Sequence, residues 1–170
     1  SRVVDKFDRD SMIYSDGAGA CIVEKNDGQD SGILSHASQT FSKDEAYHLF
    51  FGNSFNTNED ENVRYIKMHG RKIYEFALNN VPNAMKSALD KSGIPIEQVK
   101  KVFIHQANEK MDEAIIKRFY RLYKSVIPEG IMPMSIHKLG NSSVATVPTL
   151  LDLVIKGNLE NQSVKRGDVI

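Results

Sequence analysis

The chain has 170 residues, 41% of them hydrophobic, with 22 basic and 22 acidic side chains and a formal net charge of zero. One packed domain fits that length, the apolar content excludes a disordered chain, and balanced charge without a basic block gives no support for a nucleic-acid or membrane-surface role. A single cysteine excludes an internal disulfide framework and a multi-cysteine metal site.

The apolar runs fall far short of the ~20 residues of a membrane helix. Ser1-Arg2-Val3-Val4-Asp5 has no apolar signal-peptide core. A reducing, cytoplasmic setting is the default expectation. Both ends read as cut: the chain opens within a pattern, and Arg166-Gly167-Asp168-Val169-Ile170 reads as the start of a strand.

Residues 12–25 hold two short apolar stretches around a Gly-rich turn, and Ala20 to Val23 reads as a buried strand. Asn26-Asp27-Gly28 is a turn signal, with 32–38 as a candidate antiparallel partner. Residues 41–66 are polar and aperiodic and read as a long surface excursion, either functional or a solvated connector. From Ile73 the apolar residues Phe76, Ala77, Val81, Ala84, Met85, Ala88 and Leu89 recur at helical steps, which predicts a helix ending near Ser92-Gly93. Pro82 inside that stripe is expected to kink it.

Residues 99–104 read as a strand with a buried end. Asn108 is placed to cap the next helix, with Glu109 and Asp112 in its first turn and Met111, Ile115, Phe119 and Leu122 as its stripe. Residues 123–140 form a connector in which Ile131 to Ile136 is a candidate short strand. Ser142 or Ser143 is a candidate cap for a third helix carrying Val144, Val147, Leu151, Val154 and Ile155; Pro148 starts it late or bends it, and Gly157 ends it. The order β-β-loop-α-β-α-(β)-α-β is an α/β layered pattern.

Two segments sit where α/β proteins build sites, at loops leading from strands into helix N-termini. They are His105-Gln106-Ala107-Asn108 and Gly140-Asn141-Ser142-Ser143. A histidine exchanges a proton near neutral pH, and an Asn amide donates to a developing oxyanion without titrating. Together they suit polarisation of a thioester or ketone carbonyl. The alternative is a buried, satisfied histidine and an ordinary Asn turn. His36, His48, His69 and His137 show no paired metal-binding spacing, so no metal site is expected. Asp16-Gly17-Ala18-Gly19-Ala20 lacks the Walker lysine and the GxGxxG spacing. Cys21, within the candidate buried strand and with no His beside it in sequence, reads as a structural thiol.

Ser15-Asp16-Gly17-Ala18-Gly19-Ala20, then His105-Gln106-Ala107-Asn108, then Gly140-Asn141-Ser142-Ser143 with Val147-Pro148 resemble, in order and approximate spacing, the C-terminal half of a β-ketoacyl-acyl-carrier-protein synthase III. The resemblance covers nearly the whole chain. It implies one half of a thiolase-like, five-layer αβαβα fold, a mixed sheet with layered helices, with residues 1–170 as a C-terminal domain truncated at both ends and the N-terminal half absent. The activity it implies is an acyltransferase of fatty acid biosynthesis: decarboxylative Claisen condensation of an acyl thioester with malonyl-acyl-carrier protein.

By the same resemblance, His105 and Asn141 are the catalytic pair that binds the thioester oxygen. Asn108, Gly70 and Arg71 match pantetheine-contacting positions, and Lys110 matches a basic residue facing the acyl carrier protein. Arg71 departs from the usual neutral polar residue. No cofactor is implied beyond the substrates, a coenzyme A thioester and malonyl-acyl-carrier protein, and the full-length protein is expected to be a homodimer. The family's nucleophilic cysteine belongs to the N-terminal half, so the fragment alone is expected to be inactive. Other implied possibilities are a hydroxymethylglutaryl-synthase-like enzyme, a polyketide or specialised-lipid starter enzyme, or a non-catalytic partner-binding half.

Overall fold

The computed structural model describes residues 3–25 and 31–170; the Asn26-Asp27-Gly28 turn lies outside them. Two helices dominate. Helix α1 spans Gly70–Ser92 and α2 spans Glu109–Leu122. A short α3, Ile136–Leu139, and a final helix α4, Thr146–Ile155, follow. In place of a mixed sheet, the described residues carry one two-stranded antiparallel sheet. It pairs β1, Leu49–Gly52, with β2, Tyr65–Met68, in the register Leu49 to Met68 and Gly52 to Tyr65.

Helix α1 begins three residues before the periodic stripe and stops at Gly93, whose positive φ of 71° suits a residue without Cβ. It runs through Pro82 as one element. Proline has no N–H, so the carbonyl four residues earlier, on Leu78, loses its helical donor. Arg118 of α2 supplies the replacement: its guanidinium donates to the Leu78 oxygen at 2.8 Å and to Asn79 Oδ1 at 3.0 Å. One side chain therefore satisfies a carbonyl orphaned by a proline and ties the two helices together.

Helix α2 is capped as its sequence predicts, with Asn108 Oδ1 accepting from the Met111 amide at 3.2 Å. Two of its faces are covered. Met111 and Ile115 pack with Leu78 of α1. Ile116, Phe119 and Tyr120 pack with Ile96, Val99, Val102 and Ile131. Leu122, the last residue of the expected stripe and of the helix, is exposed instead.

Several strand expectations fail for one physical reason: a strand needs a hydrogen-bonding partner beside it. Residues 99–104 are extended but make only single contacts, a parallel bridge from Val99 to Val169 and a Val102 amide bond to the Ile131 carbonyl. Ile131 to Ile136 forms no strand, and Ile136 opens α3. Ala20 to Val23 and 32–38 join no described ladder, and Ile22 is 97% exposed. Cys21 is exposed as well, not buried. The stretch 41–66 is not featureless: it contains a short 3-10 turn at Asp44–Tyr47, all of β1 and the start of β2.

Neither Ser142 nor Ser143 caps α4. A 3-10 turn, Ser143–Ala145, leads into Thr146, and the Ser142 hydroxyl lies 3.2 Å from the Thr146 hydroxyl. Pro148 is the third residue of α4, within the first turn where amides have no intrahelical partner, so its missing N–H breaks no helical bond. The buried face is Thr146, Leu150 and Val154, while Val144 and Ile155 point outward.

The N-terminal segment is pinned to the β1–β2 hairpin by a buried ion pair. Lys67 Nζ donates to Asp5 at 2.6 Å and to Asp8 at 3.0 Å, and sits 3.7 Å over the Phe55 ring. Asp5 also accepts from the amides of Phe7 and Phe55 and from the Ser54 hydroxyl. Burial alone would raise the Asp5 carboxyl. The Lys67 bond and these further donors outweigh it and hold the group well below the usual carboxylate range.

Candidate active site

The two motif segments line one cleft of about 850 Å³. His105, Ala107, Asn108, Lys110 and Met111 form one side; Asn141, Ser142, Ser143 and Val144 form another. Gly70 lies at the α1 end, and Asp10, Ile13, Tyr14 and Ser15 line a further stretch, with Leu49, Ile66 and Met68 of the hairpin also on the wall.

The loop 105–108 is held from behind. Gln106 is fully buried: its Nε2 donates to the Pro133 carbonyl at 2.8 Å and its Oε1 accepts the Ser135 amide at 2.9 Å. This anchor leaves His105 on the exposed side of the loop. The His105 Nδ1 lies 3.1 Å from the Ser143 carbonyl oxygen. A carbonyl only accepts, so Nδ1 carries the proton and the ring presents Nε2. Ser143 reaches this position with φ of 56°, a left-handed conformation uncommon for a residue with a Cβ.

Asn141 is fixed from both sides. Its amide donates to the Ile13 carbonyl at 2.8 Å and its carbonyl accepts the Ser15 amide at 2.9 Å, a parallel bridge to Tyr14. Its Oδ1 accepts from the Ser143 amide at 2.9 Å, which leaves Nδ2 as the available donor. Gly140, φ 67°, makes the turn, and a Cβ there would lie 3.1 Å from that of Ser15. The Gly-rich segment packs along the same motif. A Cβ on Gly17 would sit 2.8 Å from Ser142 Cβ, and one on Gly19 would overlap the Pro148 ring. The three motifs separated in sequence thus form one contiguous structure.

Other predicted site residues separate. Asn108 and Lys110 line the cleft, with Asn108 also serving as helix cap. Arg71 does not line it: its side chain is 92% exposed and pairs with Glu75 at 2.9 Å on the outer face of α1. Cys21 is outside the lining too. Sequence reasoning passed over Tyr14, Asp10 and Gln106. The Tyr14 hydroxyl contacts Met68 Sδ at 3.5 Å, and burial, then the charges of Asp10 and Asp8, raises its pKa. Adjacency of Tyr14 to the Ser15–Ala20 motif was the one signal available for it. Among the described residues no group of His, Cys, Asp and Glu is placed to hold a metal ion, and no helix is long and apolar enough to cross a membrane.

The C-terminal domain of 3-oxoacyl-[acyl-carrier-protein] synthase III matches residues 89–170 as a family model. The chain belongs to the β-ketoacyl-[acyl-carrier-protein] synthase III family, as its C-terminal domain. It is 33% identical over 172 residues to β-ketoacyl-[acyl-carrier-protein] synthase III 2 of Staphylococcus epidermidis, covering 100% of this chain and 50% of that one. The crystal structure of the Aquifex aeolicus synthase III superposes with a TM-score of 0.59 at 27% identity, over 84% of this chain and 40% of that chain. A priming β-ketosynthase from the R1128 polyketide biosynthetic pathway superposes with a TM-score of 0.55 at 25% identity, over 68% and 34%. The chain spans about half the length of the curated relatives it matches. Its fold corresponds to half of a synthase III subunit.

Proposed function

We propose that the protein carrying this chain condenses an acyl thioester with malonyl-acyl-carrier protein, releasing carbon dioxide. The observation that supports this most is the cleft shared by His105 and Asn141, each fixed by backbone hydrogen bonds and each left with one nitrogen to offer.

In this reading, the malonyl carbon–carbon bond breaks and its electron pair stays on the thioester as an enolate. Asn141 Nδ2 donates to the enolate oxygen. With Nδ1–H committed to the Ser143 carbonyl, His105 turns Nε2 to the same oxygen, where a proton held on Nε2 makes it the second donor. The enolate carbon then attacks the carbonyl of the cysteine-bound acyl group. A new carbon–carbon bond forms, the carbon–sulfur bond breaks, and the thiolate leaves with the electron pair. Cys21, exposed and outside the cleft lining, is unsuited to carry that acyl group; the family's nucleophile lies in the other half of the subunit. In this reading Asn108 and Gly70, which line the cleft, meet the pantetheine arm, and Lys110 meets an acidic carrier protein. Arg71, paired with Glu75 on the outer face of α1 and outside the cleft lining, takes no part in this reading.

The test is carbon dioxide release from malonyl-acyl-carrier protein by the full-length protein primed with an acyl thioester. His105→Ala and Asn141→Ala should each lower kcat by about 10²–10³. Turnover unchanged in either variant sinks the assigned roles. Likeness to the R1128 priming ketosynthase supports a second reading, a polyketide starter enzyme. Comparing starter acyl groups in the same assay separates the two.

A further inference from the structure

His105 and Asn141 are carried by two segments that close on each other through one side chain. Gln106 is completely buried, and Ser135, which it meets, is 4% exposed. The Gln106 amide spans two steps of the connector: Nε2 donates to the Pro133 carbonyl at 2.8 Å, and Oε1 accepts the Ser135 amide at 2.9 Å, with the Ser135 hydroxyl at 3.4 Å. Both ends of the amide are matched, donor to acceptor and acceptor to donor, away from solvent. A second tie runs beside it, from the Val102 amide to the Ile131 carbonyl at 2.8 Å.

Ser135 in turn carries α3. Its carbonyl accepts the Lys138 and Leu139 amides, each at 2.9 Å, and the single helical turn ends where the Gly140 amide donates to the Ile136 carbonyl at 2.8 Å, one residue before Asn141. From Asn141 the path runs through Oδ1 to the Ser143 amide at 2.9 Å, and from the Ser143 carbonyl to His105 Nδ1 at 3.1 Å. His105 is the chain neighbour of Gln106, so the path closes. Gln106, Ser135, α3, Asn141, Ser143 and His105 form one circuit, and both nitrogen donors of the cleft sit on it. Asn141 is also held by Ile13 and Ser15, so a break at Gln106 should fall on His105 first.

We infer that Gln106 is the positioning residue that sets His105 against Asn141: its buried amide fixes the spacing between the loop carrying one donor and the helical turn carrying the other. The catalytic consequence rests on the proposed condensation; the placement does not. Two readouts on the full-length protein keep these apart. The first is the nitrogen spectrum of the His105 ring without substrate, taken about two pH units above the ordinary imidazole value so that the ring is neutral. In the wild type the proton should sit on Nδ1. In Gln106→Leu, which keeps the bulk and loses both bonds, Nε2 should take a share of it. The second is the acyl-primed assay. Folded Gln106→Leu should lose about 10²-fold in kcat, the order expected for a displacement of about 1 Å, with KM within about threefold. Gln106→Glu, as the neutral acid that burial favours, keeps an O–H for Pro133 and an oxygen for Ser135. On the acid side its kcat, taken as a ratio to wild type at the same pH, should recover most of the loss; the ratio cancels the titration of His105 common to both proteins.

A wild-type His105 spectrum in Gln106→Leu overturns the inference, and so does a Gln106→Glu rate no better than that of Gln106→Leu on the acid side. Should Gln106→Leu fail to fold, Gln106→Asn decides, being one methylene too short to reach both partners: a displaced His105 proton supports the role and a wild-type spectrum overturns it. A displaced proton in these variants, alongside a wild-type full-length protein that releases no carbon dioxide, retains the positioning role and rejects the condensing reaction.

Discussion

Arg118 donates to the main-chain carbonyl of Leu78, 2.8 Å away on the neighbouring helix. That carbonyl lacks its helical partner because Pro82 has no N–H. Removing the guanidinium strands a carbonyl beside the buried Leu78 side chain, so Arg118→Met should cost about 1–3 kcal/mol in urea unfolding. The sharper measurement is a double-mutant cycle with Pro82→Ala. An alanine amide at position 82 restores the helical donor, so the cost of Arg118→Met should fall by half or more in that background. Equal costs in both backgrounds would show that Arg118 acts through packing alone.

His105 depends on the Ser143 carbonyl, and Ser143 depends on a left-handed φ of 56°. A β-branched residue resists that conformation more than serine does, and glycine resists it less. Ser143→Val should therefore destabilise by about 1–2 kcal/mol and lower turnover of the full-length protein, while Ser143→Gly should keep both stability and rate. If valine is tolerated as well as glycine, the backbone strain is not what sets the histidine.

How much of this was readable in advance follows the range of the interaction. The α1 and α2 stripes, the Asn108 cap and the Gly93 stop are local, and each has a signature within a turn or two of helix. The motif segments were legible as short runs, and their residues meet in one cleft. What failed was long-range. Lys67 and Asp5 are far apart in sequence and no periodicity links them. The extended 99–104 segment finds its few partners at Ile131 and Val169, which a strand pattern alone does not name. The Ser142 and Ser143 cap reading failed for a local reason: serine hydroxyls have other uses at a 3-10 turn, and Ser142 turns to Thr146.

The Asp5–Lys67 pair gives a pH dependence with a defined sign. Asp5 is held below its ordinary value of 3.8, so its contribution is complete above that value and is lost as pH falls through the lower folded-state value. Asp5→Asn leaves a buried ammonium with only Asp8, and should cost about 3 kcal/mol near neutral pH. The gap between variant and wild type should narrow below about pH 3.8, by at most about 1.4 kcal/mol per pH unit. Urea unfolding of both proteins at several acid pH values measures it. A gap that stays constant down to strong acid would mean the carboxylate charge contributes nothing to folding.

Gly19 packs against Pro148 so closely that the approach admits no Cβ, and Gly17 meets Ser142 in the same way. The Gly-rich segment is thus required as a surface without side chains against the start of α4, not as a phosphate loop. Gly19→Ala should cost about 1–3 kcal/mol, the range for overpacking a fitted contact, and should loosen the segment that also supplies Ser15 to the Asn141 backbone. Gly157→Ala is the contrasting substitution: a Cβ there meets no atom within 4 Å, so its cost comes from the positive φ of 69° alone. Pro148→Ala removes the ring atom nearest Gly19 and should recover part of the Gly19→Ala loss, with a coupling of about 1 kcal/mol or more in a double-mutant cycle. Gly157→Ala should show no coupling to Pro148→Ala. Additive costs for Gly19→Ala and Pro148→Ala would mean that the segment moves off α4 freely and that the glycine is there for backbone conformation.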